Sequence, residues 1–235
     1  MFRESIEQMT GYVPGEQPRG TKLIKLNTNE NPYPPSPKVV EAIRAAAEIG
    51  LQRYPEPSAL AFRERAAEVL STHNAAITPD WILCGNGSDD ILTIATRAFV
   101  DQGQAVRYAR PTYSLYKTLA QIQGVRQDVV ECEPDWSLGF EFTKPSPDVK
   151  LAYLANPNSP SGTLLAPGEV AAIADAMPCP LLVDEAYIDF AETNCLDLVR
   201  TNGRVLVSRT LSKSYGLAGL RFGYVVAQPA VIAQL

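Results

Sequence analysis

The chain has 235 residues, 46% hydrophobic and 20% charged, which is a globular composition with enough length to bury a substantial core. With 21 basic and 26 acidic residues, a net charge of −5 and no basic tract, it offers nothing to a nucleic acid or an anionic membrane surface. Cys84, Cys132, Cys179 and Cys195 are irregularly spaced with no CxxC pair, and His73 is the single histidine, so the chain reads as a cytoplasmic protein with reduced thiols and no zinc site.

The opening MFRESIEQMTGYVPGEQPRG has no apolar core and predicts neither a signal peptide nor an anchor, and no later run reaches the length of a membrane span. NPYPPSP (Asn31 to Pro37) predicts an extended segment, because each proline fixes its own φ and restricts the residue before it. Ser36-Pro37 then starts a helix, with Glu41 in its opening turns. A second helix is predicted from about Ser58 to Leu70, with Leu60, Phe62, Ala66, Val69 and Leu70 as its apolar face. His73 follows in a polar turn and reads as a surface residue.

From there short apolar runs alternate with helical patterns. The runs are 81–84, 105–108, 126–130, 151–155, 181–183, 205–208 and 222–227, and the helices 88–100, 113–123 and 167–177. Several runs are continuously apolar, as suits strands buried on both faces. The pattern predicts an α/β fold: a mainly parallel sheet of seven strands with helices on both sides. In such sheets ligands bind beyond the carboxyl ends of the strands. Asn156, Asp184, and Thr210 with Ser212 and Lys213 each follow such an end.

Four stretches there carry chemistry. GNGSDD (Gly85 to Asp90) follows a strand and opens a helix, so its glycines let backbone N–H groups approach an anion; read alone it is also a plain strand–turn–helix capped by Ser88. Read alone, too, NPNSPSG (Asn156 to Gly162) is a turn-rich loop and the acidic pair of DEAY (Asp184 to Tyr187) a metal pair or a helix cap. In SRTLSKSYGLAGLRFGY, Lys213 supplies an amine, Thr210 and Ser212 hydroxyls, and Arg221 a fork for phosphate oxygens. Together these are the groups that hold pyridoxal 5′-phosphate: an amine for its carbon, Asp184 facing the ring nitrogen, Tyr187 and the Asn156 amide beside the ring oxygen, and a phosphate cradle. Tyr113, in PTYSLY, is a candidate to stack on the ring or an ordinary core aromatic.

These motifs, with KLNTNENPYPPSP and RYPEP before them, resemble in kind and order the fold-type I pyridoxal-phosphate enzymes, most closely the histidinol-phosphate aminotransferases. The resemblance spans essentially the whole chain. It differs mildly where GNGSDD ends in Asp rather than the family's usual Glu and where NPNSPSG carries Ser in place of the commoner Thr.

The resemblance implies Lys213 as the Schiff-base lysine, Asp184 as partner of the pyridine nitrogen, Tyr187 with Asn156 at the ring oxygen, and Tyr113 stacking. It gives Thr210, Ser212, Arg221 and the Gly87–Ser88 amides to the phosphate. Tyr54 reaches the phosphate of a neighbouring subunit, implying a homodimer with shared sites. The implied reaction is transamination between histidinol phosphate and 2-oxoglutarate in histidine biosynthesis, with aromatic transamination or phosphothreonine decarboxylation as related chemistry on the same frame.

On this reading residues 1–30 are an N-terminal arm and 31–235 the cofactor-binding large domain. Family chains continue into a smaller C-terminal domain that carries a substrate-binding arginine. The sequence ends on the helix-like PAVIAQL, so the expectation is a large domain that binds cofactor but turns over poorly, or not at all.

Overall fold

Runs of Val, Leu, Ile and Ala keep both faces of a strand out of water only if helices cover both sides of the sheet. A computed structural model, which describes residues 2, 4–7, 9, 24–71 and 76–235, has that arrangement. Its strands are β1 (Ile82–Gly85), β2 (Ala105–Arg110), β3 (Arg126–Glu131), β4 (Val149–Ala155), β5 (Leu181–Asp184), β6 (Val205–Thr210) and β7 (Gly223–Val226). They form one sheet in the order β1-β7-β6-β5-β4-β2-β3. β2 through β6 pair in parallel, whereas β7 runs antiparallel to both β1 and β6. The helices are α1 (Glu4–Glu7), α2 (Pro37–Ile49), α3 (Leu60–Leu70), α4 (Ser88–Phe99), α5 (Leu115–Gln123), α6 (Pro167–Ala176), α7 (Leu198–Thr201) and α8 (Pro229–Ile232).

The alternation of side chains along each strand divides the core in two. Leu181 and Val183 of β5, with Val205 and Val207 of β6, join Ala66 and Ala67 of α3 and Val170, Ile173 and Ala174 of α6. Leu182 and Leu206, the residues between, join Ile91, Leu92 and Ala95 of α4 and Leu119 and Ala120 of α5 on the other face. Each fully buried Leu or Val stabilises the fold by about 1.5–3 kcal/mol relative to exposure, so the two layers together hold the sheet rigid.

Most predicted boundaries shift by one or two residues, for local reasons. α3 begins at Leu60 rather than Ser58 because Glu56 accepts hydrogen bonds from the Ser58 and Leu60 N–H groups, at 3.0 and 2.6 Å, while Ala59 takes a left-handed conformation at φ 53°. Of its predicted face, Phe62, Ala66 and Leu70 meet the core, whereas Leu60 and Val69 are exposed. Trp81 sits in a 3₁₀ turn before β1, and β6 continues to Thr210, which makes Thr210 a strand residue. α2 starts at Pro37 as predicted but buries none of its residues. His73 lies outside the described residues.

β7 passes so close to the start of α4 that Gly223 has no room for a side chain. A Cβ there would collide with the Ser88 nitrogen and lie 2.6 Å from the Gly87 carbonyl carbon, both backbone atoms that cannot rotate away. Gly223→Ala is therefore expected to destabilise by at least about 2 kcal/mol, lowering the melting temperature by roughly 4–8 °C. Gly168→Ala, in α6 with open space around it, is the control and melts at or slightly above the wild type. Calorimetry of the two variants checks this, and equal melting temperatures would contradict it.

Candidate active site

The parallel strands all end on one side of the sheet, so side chains in the following loops converge there. Asp184 is the last residue of β5, and Ser208 is its registered partner on β6. Lys213 lies three residues beyond the end of β6. Because β7 runs back antiparallel, the segment before it carries Arg221 over the same edge. With Ser88 and Asp89 at the start of α4, and Tyr113 before α5, these residues line one cavity of about 400 Å³. A larger cleft of about 750 Å³ beside Phe62 and Phe222 holds no lysine and shares no residue with it.

Asp184 forms the floor. It is 4% exposed, and its carboxylate accepts hydrogen bonds from the Tyr116 hydroxyl at 2.9 Å and the Ser208 hydroxyl at 3.2 Å. Burial pushes its carboxyl above the usual aspartate range, while Tyr116, Ser208 and the Ala186 N–H oppose that rise. Among the described residues no cation stands within ion-pair distance of it. Glu185, its neighbour in sequence, is committed elsewhere, paired with Arg209 at 2.7 Å and accepting the Cys195 N–H. The two carboxylates thus do not act as a pair.

Lys213 stands at the mouth. Its amine donates to the Thr28 carbonyl at 3.3 Å and lies 5.4 Å from the centre of the Tyr187 ring. The Tyr187 hydroxyl in turn accepts from the Asn29 amide at 3.0 Å, which leaves its own proton to be donated. The Asn31 amide donates to the Ser214 carbonyl, so residues 28–31 are strapped across the site.

At the far end is a cradle for an anion. Gly87 opens α4 at φ 89°, and a side chain there would lie 2.6 Å from the Arg221 guanidinium. That guanidinium donates to the Ser212 hydroxyl at 3.4 Å, and the Thr210 hydroxyl reaches the same oxygen at 3.0 Å. The first-turn N–H groups of the twelve-residue α4 add their dipole. Asp89 pairs with Arg221 at 3.3 Å and accepts from the Tyr113 hydroxyl at 3.0 Å, holding both in place.

The set fits pyridoxal phosphate on its own terms. A buried carboxylate with no cation partner among the described residues suits a protonated ring nitrogen, the cradle of Arg221 and the start of α4 suits a phosphate, and an amine shares their cavity.

Two predicted residues are not brought here. Asn156 is 1% exposed, but its amide donates to the Leu165 carbonyl at 3.0 Å and accepts the Leu165 N–H at 2.8 Å, closing the loop that follows β4. It therefore lines a separate cavity of about 230 Å³, and only its neighbours Ala155 and Pro157 reach the site. Its amide nitrogen also faces the Cys195 sulfur at 3.6 Å, so the amide expected at the ring oxygen lies outside the cavity in this arrangement. Tyr54 is fully exposed and outside the cavity.

Sequence reasoning also missed four contributors. These are Asp89 in the first turn of α4, Tyr116 in α5, Ser208 in β6 and Asn29 in the N-terminal segment. The spacing from Tyr113 to Tyr116, one helical turn, was the available sign that Tyr116 lies behind the cavity wall.

With this geometry in hand, comparison with known proteins is direct. The sequence pattern described as Aminotransferase class I and II matches residues 21–235. A histidinol-phosphate aminotransferase of Rhodopirellula baltica is 53% identical over 234 residues, covering 100% of this chain and 64% of that protein. The chain thus spans just under two thirds of that relative's length. The crystal structure of histidinol-phosphate aminotransferase from Sinorhizobium meliloti in complex with pyridoxal-5′-phosphate superposes with a TM-score of 0.77 at 30% identity, over 87% of this chain and 56% of that one. L-threonine-O-3-phosphate decarboxylase from Porphyromonas gingivalis shares the fold at a TM-score of 0.69 and 23% identity, over 83% of this chain and 59% of that one. The match over residues 21–235, on a sheet whose strand ends gather Lys213, Asp184 and Arg221, assigns this chain to the class I and II aminotransferase family.

Proposed function

We propose that the protein binds pyridoxal 5′-phosphate and takes part in transamination between histidinol phosphate and a 2-oxo acid, 2-oxoglutarate, in histidine biosynthesis. One observation carries the reading: the Lys213 amine, the buried Asp184 carboxylate, which has no cation partner among the described residues, and the Arg221 guanidinium beside the start of α4 share a single cavity. The choice of substrate is supported by the 53% identity to a relative that bears that name.

In this reading residues 31–235 are the cofactor-binding domain and residues 1–30 an arm, of which Thr28 and Glu30 also line the cavity. Lys213 would hold the cofactor's carbon and Asp184 its ring nitrogen. Tyr187 would donate to the ring oxygen, and Tyr113 would cover a ring face. Arg221, Thr210, Ser212 and the Ser88 N–H would hold the phosphate. Bound there, pyridoxal phosphate supplies an electron sink for negative charge developing on the substrate's amino-bearing carbon. Lys213 Nζ, freed when the substrate's amine takes its place, would accept the proton from that carbon and deliver it to the cofactor's carbon, and its position beside the Tyr187 ring keeps it within the cavity. Asp184 keeps a full negative charge facing the ring only while its donors hold it ionised. The four cysteines are free thiols, which supports a cytoplasmic setting.

A two-fold dimer is part of the proposal. Tyr54, Ile49 and Leu51 are all exposed, and α2 offers a helix with no buried residue. Such a surface calls for a partner, and a second copy lets Tyr54 serve its neighbour's phosphate.

Borohydride reduction in the presence of pyridoxal phosphate, followed by peptide mapping, is expected to label Lys213, and Lys213→Arg to abolish the label; a label on another lysine refutes the assignment. Asp184→Asn has two readouts. Because burial raises the Asp184 carboxyl from the ordinary 3.8, its contribution to folding is fully present below that value and is lost as pH rises through the raised one. The cofactor-free Asn variant should therefore melt above the wild type at pH ~7, with the gap closing toward pH ~4, while its single-turnover rate falls at least about tenfold. A gap independent of pH would contradict this. Sedimentation should give a dimer, and Tyr54→Ala should weaken cofactor binding; a monomer that binds cofactor tightly counts against the shared site.

A further inference from the structure

Asp184 is not held by the sheet alone. Behind it, out of contact with solvent, stands Tyr116 of α5, whose hydroxyl points at the carboxylate from 2.9 Å. Its ring lies parallel to that of Tyr153 on β4, with centroids 4.6 Å apart and planes at 8°. The Tyr153 hydroxyl is fixed by Thr96 and by the Leu92 carbonyl at 3.1 Å, both on α4. On its other side Tyr116 meets the edge of Tyr113 at 5.7 Å and 86°. A phenylalanine would fill the same stack. The hydroxyl has one hydrogen-bond partner among the described residues, and it is Asp184.

We propose that Tyr116 is a positioning residue for the cofactor site: its hydroxyl, bonded to the Asp184 carboxylate, aims that carboxylate into the cavity, while its ring buttresses Tyr113. The proposal rests on the reading of the cavity as a pyridoxal-phosphate site, but the contact it concerns belongs to the chain itself.

The groups facing Asp184 bear out which of them matters. Ser208 on β6 donates at a longer 3.2 Å. Tyr153 is near but bonded elsewhere, and Asp89 on α4 repels. Glu185 is occupied by Arg209. Lys213 and Tyr187 line the same cavity but direct their polar atoms to Thr28 and Asn29. Tyr116 is also held protonated, since its own burial and then the nearby carboxylate push its phenol well above the usual range. A buried, protonated donor against a buried carboxylate favours the charged form of the latter.

The test uses the full chain without cofactor, labelled with ¹³C at Asp and Tyr. The Asp184 carboxyl signal is identified by its loss in Asp184→Asn, and its titration is followed in wild type, Tyr116→Phe and Tyr153→Phe. Tyr116→Phe is expected to move the midpoint upward by about 1–2 units, and Tyr153→Phe to leave it in place. An unchanged midpoint in Tyr116→Phe overturns the proposal, as does an equal shift in both variants, which would mean only that the aromatic column had loosened. In the wild type, the ¹³Cζ signal of Tyr116 should follow the Asp184 midpoint, and independence of the two overturns the proposal even if the Phe variant fails to fold. Titration with pyridoxal phosphate then adds a second readout, in which Tyr116→Phe raises the dissociation constant about tenfold at a pH between the two midpoints. If the wild type binds no pyridoxal phosphate at all, the cofactor reading fails, while the carboxyl titration still decides the role of Tyr116.

Discussion

A carboxylate at the end of the central strand, enclosed on all sides except toward one cavity, organises the rest of this molecule. Burying Asp184 in a low-dielectric interior is unfavourable unless its oxygens are bonded and its charge is met. The oxygens are bonded by Tyr116, Ser208 and the Ala186 N–H, which come from three different parts of the sequence. Meeting the charge is left to whatever fills the cavity. That division explains why a structural element as stable as β5, with all four residues buried, ends on a group that costs stability.

The topology then supplies the complementary groups. A purely parallel sheet would carry the chain away from the strand ends after β6. The antiparallel β7 instead returns it, and the 211–222 connection leaves Lys213 and Arg221 over the same edge. The close approach of β7 to α4 brings the guanidinium to the helix N-terminus, where Gly87 and Gly223 are required because any side chain would enter the contact. Fold and site are therefore coupled through backbone contacts as well as through side chains.

Much of this was legible in the sequence, and what was not has identifiable causes. The central strands announced themselves because both faces are buried and their runs are largely apolar, whereas β3 at the sheet edge is part exposed and opens on Arg126, Gln127 and Asp128. Asp184 and Lys213 were legible because each is a polar residue shortly after such a run stops, and Tyr187 and Arg221 because each stands in the same motif as one of them. The direction of β7 was hidden, since a four-residue strand reads the same in either direction. Tyr116 and Ser208 were hidden because their roles depend on which strand neighbours which, and their own surroundings look like core. Asn156 stood at the right position in sequence, but its amide is tied to Leu165 nine residues on, a pairing that no spacing rule reveals. The start of α3 was missed because a glutamate outside the helix, Glu56, does the capping.

The most direct test of the account is a crystal structure of the chain grown with pyridoxal phosphate. The account predicts ring density continuous with Lys213, the ring nitrogen against Asp184, and the phosphate between the start of α4 and Arg221. Cofactor density in the large cleft beside Phe62, or in the 400 Å³ cavity with its phosphate away from Arg221, would contradict it.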